Sequence, residues 1–288
     1  MQELSGFPYF EVQFTKHGTV HDEREVAEVR DCLAQQPVTD LFVIAHGWNN
    51  DLNDARGLFR AFFARVREVV DSGLVPGVST RRFAVLGVLW PSKKFAERDL
   101  IPSGAATAQS PVSDEALREQ LEEIKGTFDA PDADVKLEQA KRLIRDLDDS
   151  KRARQEFVDL LRGLLPPEAA DEEDASDRFF ALPEEEVMQR LSRPVLPSGG
   201  AMTSGAGGAA SMGSVGTLSR PPAGGAARLG QFFAGVKSAA RNLINYVTYY
   251  EMKERAGTVG RDGVAPVLHA IRALRPDLKI HLIGHSFG

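Results

Sequence analysis

The sequence predicts an α/β protein: a mostly parallel sheet flanked by helices, with a helical and low-complexity insertion. Three observations carry that expectation. The run Arg82-Phe83-Ala84-Val85-Leu86-Gly87-Val88-Leu89-Trp90 is continuously apolar after its first residue, as a strand covered on both faces should be. Two other apolar runs, Leu41 to Ala45 and Leu278 to Ile283, are set among helical patterns, so strands and helices alternate. Between about Phe95 and Arg228 the composition changes, while both flanks keep the strand-and-helix pattern.

Taken in order, Tyr9-Phe10-Glu11-Val12-Gln13-Phe14 alternates apolar and polar residues, the pattern of an edge strand with one wet face. Asp22 to Gln35 places Val26, Val29 and Leu33 at helical spacing, with Glu and Arg opposite, before Pro37 ends the segment. The Leu41 to Ala45 strand follows. Asn49-Asn50-Asp51 then offers N-caps for a helix from about Leu52 to Val70, whose apolar stripe is Leu58, Phe59, Phe62, Phe63 and Val66. Pro91 closes the Arg82 to Trp90 strand, and Trp90-Pro91-Ser92-Lys93-Lys94 leaves the C-terminal edge of the sheet, where open α/β folds place ligand crevices. Trp90 there is either a pocket wall or a core anchor.

Residues 93–228 are read as the insertion. Its acidic part, Ser113 to Glu186, holds three helix-like segments, Asp114 to Lys125, Val135 to Leu147 and Lys151 to Leu165, each with one apolar face that must pack on something. Pro197 to Ala227 is rich in Gly, Ala and Ser and too poor in apolar side chains to offset the entropy of ordering it, so a flexible linker is expected. Gly205-Ala206-Gly207-Gly208 lacks the Gly-Lys-Ser/Thr ending and the preceding strand of a phosphate loop. Order resumes near Leu229. Phe232, Phe233, Val236, Ala240, Leu243, Ile244, Val247 and Tyr250 recur at helical spacing, and a second helix from Gly263 to Leu274 leads through Pro276-Asp277 into the last strand. The core is therefore expected from residues 1–92 and 229–288. The insertion is expected either to cap the sheet edge it leaves or to dock elsewhere.

Composition narrows the function classes. A net charge of -6, a pI near 5.6 and the lack of a Lys/Arg stripe in 288 residues argue against a nucleic-acid partner. Cys32 is the single cysteine, which excludes an intrachain disulfide framework, and its helical setting reads as a buried thiol. No zinc spacing occurs, and no cofactor or metal is expected. The start of the chain lacks the basic-then-apolar pattern of a signal peptide, and no apolar run is long enough to span a bilayer, so a cytoplasmic protein is the expectation. The aromatic helix from Leu229 to Tyr250 admits a lipid-surface reading, but packing on the sheet explains its apolar face and is favoured.

The chemistry sits in the last five residues, Gly284-His285-Ser286-Phe287-Gly288, at the end of a strand expected to be buried. A serine at the tip of a strand-to-helix turn takes a strained backbone, and the residues two before and two after it must be very small. The motif resembles the Gly-His-Ser-x-Gly elbow of α/β-hydrolases, particularly the lipase and esterase branch, which implies that Ser286 is the nucleophile. His46-Gly47-Trp48, after the Leu41 to Ala45 strand, resembles the His-Gly-x loop that follows the third strand of that fold. The resemblance implies an oxyanion hole made by the Trp48 and Phe287 N–H groups, with His46, Gly47, Gly284, His285 and Gly288 in supporting places. It covers the first ninety or so residues and about the last sixty, and it puts the helix joining the fourth and fifth strands before the elbow.

A serine hydroxyl needs a base within reach and a third group to orient that base. The resemblance places the acid and then the histidine after the serine, where only Phe287 and Gly288 stand. His285 is expected to point away along the turn, and none of His17, His21, His46, His269 and His281 occupies a base's place. The expectation is thus an incomplete α/β-hydrolase fold, the N-terminal part of a longer serine hydrolase acting on ester or lipid substrates. A non-catalytic hydrolase-like binding module, and a peptidase or thioesterase on the same scaffold, remain open beside it.

Overall fold

Along β3 (Asp40–Ala45) successive side chains point to opposite faces, Leu41 and Val43 to one and Phe42 and Ile44 to the other, and each face carries its own apolar cluster. The computed structural model describes residues 2–48, 50–92, 112–166, 176–192 and 226–288, with the backbone alone for 176–178 and 226–234. Among these residues β1 (Gln2–Leu4), β2 (Phe7–Gln13), β3, β4 (Phe83–Leu89) and β5 (Lys279–Gly284) form one sheet in the order β1-β2-β4-β3-β5. β1 runs antiparallel to β2, and the other three pairings are parallel. The protein is α/β, with a mostly parallel sheet flanked by helices.

The helices start where the sequence supplies caps. The Asp22 carboxylate accepts from Arg24 N–H to open α1 (Glu23–Gln35). Asp51 accepts from the N–H groups of Asn53 and Asp54, and Asp54 accepts in return from Asp51 N–H, a reciprocal box that opens α2 (Leu52–Asp71). α2 covers one face with Ala55, Phe59 and Phe63 against Tyr9, Ile44, Val85 and Leu89. Full burial of each phenylalanine stabilises by about 1.5–3 kcal/mol. On the other face, Val26, Val29 and Leu33 of α1 and Val267 and Ile271 of α9 (Ala265–Leu274) meet Phe10, Val12, Leu41, Val43, Leu86 and Val88. β4 is buried from Ala84 to Leu89, as its continuous apolar run requires.

Two strand expectations are corrected. β2 starts at Phe7 rather than Tyr9, and the short β1 lies outside it, so β2 is not the outermost strand. β5 hydrogen-bonds β3 alone among the described residues, none of its six residues is buried, and Leu282 is 70 % exposed, against the buried strand that its apolar run suggested. The connection before it is held firmly: the Arg275 guanidinium donates to the carbonyls of Leu33 (2.7 Å) and Val38 (2.9 Å) at the end of α1 and the approach to β3.

The chain divides into two compact units, Met1–Lys93 with Met252–Gly288, and Lys94–Glu251. The second boundary falls inside α8 (Ala226–Thr258). The second helix expected from Gly263 is α9, and a π-helical turn, Val259–Val264, joins it to α8. The helical unit packs Leu117 and Leu121 of α3 (Asp114–Glu123), Leu137 of α4 (Ala133–Leu143), Phe157 and Leu161 of α5 (Lys151–Arg162) and Val187 and Met188 of α7 (Glu184–Leu191), with the short α6 (Ser176–Ala181) before α7. Arg154 is buried there and satisfied by Glu185 (2.9 Å) and the Leu147 carbonyl (3.0 Å). Val236, Leu243, Ile244 and Val247, part of the stripe that admitted a lipid-surface reading, are fully buried. The side chains of Phe232 and Phe233, and the Gly, Ala and Ser-rich stretch up to residue 225, lie outside what is described. No described helix is long and apolar enough to cross a membrane.

Candidate functional site

β3 and β5 are adjacent and parallel, with Ala45 opposite Gly284, so the chain leaves both strands at one point on the C-terminal edge of the sheet. The ladder continues one step further, His285 N–H donating to the Ala45 carbonyl at 3.2 Å. There the backbone reverses. Ser286 has φ +57°, a left-handed conformation that costs a residue with a side chain about 1–2 kcal/mol. Gly288 N–H closes the turn on the His285 carbonyl at 3.0 Å, and Ser286 stands exposed at its tip.

The flanking glycines are dictated by backbone. A Cβ on Gly284 would collide with the Gly288 carbonyl, and one on Gly288 with the carbonyls of Ala45 and His46. Neither neighbour is a flexible side chain that could move aside. Gly47 is required for the other loop: its Cβ would lie 2.5 Å from His285 Nδ1, 2.7 Å from the His285 carbonyl oxygen and 2.9 Å from the Ser286 Cβ. The His46-Gly47-Trp48 loop and the serine turn are therefore in van der Waals contact. His285 is exposed, yet its ring lies against Gly47 instead of pointing away along the turn as the sequence suggested. Trp48 and Phe287 are partly buried and pack against the same cluster, the one under α1 and α9.

His46 is fully buried behind the loop. Its Nε2 accepts from the Trp90 backbone N–H at 3.1 Å, which leaves the ring proton on Nδ1, directed at the Gly47 carbonyl at 3.1 Å. Trp90 Nε1–H returns a hydrogen bond to the His46 carbonyl at 2.9 Å, and the two rings stack 5.6 Å apart and 12° from parallel. Burial lowers the His46 pKa below its ordinary value, only partly opposed by the bond to Gly47, so the ring is neutral. Trp90 is thus the core anchor of the two roles open to it, at 4 % exposure. Ser92, also buried, places its hydroxyl 2.8 Å from the Asn50 carbonyl, 3.2 Å from the Gly47 carbonyl and 3.4 Å from His46 Nδ1.

No family model, curated protein or solved structure matches the chain.

The structure brings Ser286, Gly284, Gly288, His285, His46, Gly47, Trp48 and Phe287 to one corner of the sheet. It brings no base to the serine: among the described residues no hydrogen bond reaches Ser286 Oγ. Both ring nitrogens of His46 are engaged elsewhere. His281 pairs through Nε2 with Asp40 at 2.8 Å, at the start of β3 and about 16 Å of strand from the turn. Nor do the described residues hold a group of three or more His, Cys, Asp or Glu placed for a metal. Ser92 was missed as a member of the site. Its only sequence signal was a place just after a buried strand, because its partners lie more than forty positions away.

Proposed function

We propose that this chain carries the nucleophile of a serine hydrolase of the α/β-hydrolase kind, acting on carboxylic-ester or lipid-ester substrates through an acyl-enzyme. One observation carries the reading: Ser286 is held exposed at φ +57° between two glycines that the backbone requires, with the Gly47 loop packed against it. Strain of this kind persists where the surrounding structure over-determines it, and it clusters at sites of chemistry. Strand count supports the reading too. Among the described strands, with β1 included, the His46 loop follows the third and the serine turn the fifth, with α9 between the fourth and fifth, as the resemblance implies.

In the proposed reaction Ser286 Oγ bonds to the acyl carbon, its proton passes to a base, and the carbonyl electron pair moves to oxygen as an oxyanion. Backbone N–H groups of Trp48 and Phe287 receive that charge. Collapse expels the alcohol, which takes the proton back from the base, and water then repeats the sequence to release the acid. Turnover requires a histidine and an orienting acid, which the resemblance puts after the serine in chain order. A fluorophosphonate probe applied to the native polypeptide tests the reading. Labelling of one serine that disappears in Ser286→Ala is expected. An intact fold that takes no label would overturn it in favour of a non-catalytic binding module, and a panel of esters, thioesters and amides separates the hydrolase classes.

A further inference from the structure

The Gly47 carbonyl belongs to the same peptide group as the Trp48 N–H. In a trans peptide these two point in opposite directions, so whatever fixes the carbonyl aims the N–H. Here the carbonyl accepts from His46 Nδ1–H at 3.1 Å and from the Ser92 hydroxyl at 3.2 Å, the longer arm of a three-centre bond whose single proton is shared with the Asn50 carbonyl at 2.8 Å. Ser92 follows β4, while Ser286 follows β5, and β3 lies between them in the sheet. A Gly47 carbonyl drawn to the β4 side therefore turns the Trp48 N–H to the β5 side, where the serine stands. The Ser92 side chain is buried, so water does not compete for that shared proton.

We infer that Ser92 is a positioning residue: it holds the Gly47–Trp48 peptide so that the Trp48 N–H faces the oxyanion formed at Ser286. This rests on the hydrolase reading. The hydroxyl touches neither substrate nor the serine; it acts through the peptide plane, in concert with His46. Because the same N–H serves both formation and hydrolysis of the acyl-enzyme, weakening its aim lowers kcat whichever step is slower. Ground-state binding is not touched, so KM stays.

The test is hydrolysis of a short-chain p-nitrophenyl ester by the native polypeptide and its Ser92→Ala, Ser92→Thr and Ser286→Ala variants, with thermal unfolding of each. The inference expects Ser92→Ala to lower kcat about 10–100-fold at unchanged KM, below the full loss of an oxyanion donor because His46 still holds the carbonyl. Ser92→Thr, which keeps the hydroxyl, restores kcat to within a few fold even if its added methyl lowers the melting temperature. If Ser92→Ala keeps its kcat while Ser286→Ala has none, the positioning role is wrong and the hydrolase reading stands. Equal loss in the Ala and Thr variants, following melting temperature, overturns it in favour of packing alone. Absence of any Ser286-dependent hydrolysis removes the hydrolase reading, and the inference with it.

Discussion

Gly47 and Ser286 touch across the ends of two adjacent strands: a Cβ built on Gly47 would stand 2.9 Å from the serine Cβ. It would also meet His285 at its carbonyl oxygen and Nδ1, and the carbonyl is backbone that cannot swing away. Gly47→Ala should therefore push the loop and the serine turn apart while leaving the two apolar clusters intact. Expected is a loss of fluorophosphonate labelling of at least tenfold with a far-ultraviolet circular dichroism spectrum like that of the parent. Undiminished labelling would mean that the contact is dispensable.

The backbone at Ser286 makes a second, opposite expectation. Its φ of +57° is costly for serine and alanine alike but not for glycine. Ser286→Gly should raise the unfolding free energy by about 0.5–1 kcal/mol relative to Ser286→Ala, the residue strain less the entropy that glycine adds to the unfolded chain. Both variants lose labelling. Equal stability of the two, measured by urea unfolding, would show that the turn relaxes when the hydroxyl is removed.

Why these features were readable from sequence, and others not, follows from the range over which each is set. The Gly-x-Ser-x-Gly spacing is a local steric demand, since Gly284 and Gly288 face each other across four residues. The caps at Asp22 and Asp51 are local too, and α1 and α2 begin where those residues suggest. By contrast, β1 has three residues and exists through its pairing with β2. The run of α8 into α9 passes through a π turn that takes in Gly260 and Gly263, which the periodicity did not show. The roles of Trp90 and Ser92 arise from contacts to positions 46, 47 and 50, which only the order of strands brings near.

At the other end of β3 the buried Asp40 accepts from His281 Nε2 (2.8 Å), Thr39 Oγ1 (2.7 Å) and the Arg81 guanidinium, so it fastens β5 and the approach to β4 onto β3. Burial alone would raise its pKa. The bonds from His281 and Thr39 and the charge of Arg81 outweigh burial and hold the carboxyl below its ordinary 3.8. A lowered folded pKa means that this stabilisation is complete above about pH 4 and is lost as pH falls through the folded value. Asp40→Ala should cost about 1–3 kcal/mol at pH 7, less than a fully buried pair because Arg81 and His281 reach solvent. Amide exchange of Ile280 to Leu282 should accelerate more than that of β4. Uniform acceleration across the sheet would argue against a local clasp.

His46 carries the last expectation, in a different pH range. Burial disfavours its charged form, and the geometry agrees: Nε2 accepts from Trp90 N–H at 3.1 Å and cannot do so once protonated. The folded pKa lies below the ordinary 6.5, so between the two values the unfolded chain binds the extra proton. Stability from this residue is complete above about pH 6.5 and falls as the pH drops toward the folded value, with a slope of at most about 1.4 kcal/mol per pH unit. Below the folded value both states are protonated and the slope vanishes. Comparing urea unfolding of the parent with His46→Gln at pH 5 to 8 isolates this contribution, because the other histidines are common to both. The variant should be less stable at pH 7.5 by about 1–3 kcal/mol, having lost the Nδ1–H bond to Gly47 and the ring stacked on Trp90, and the gap should narrow as pH falls. A gap that stays constant across the range would mean that folding does not lower the His46 pKa.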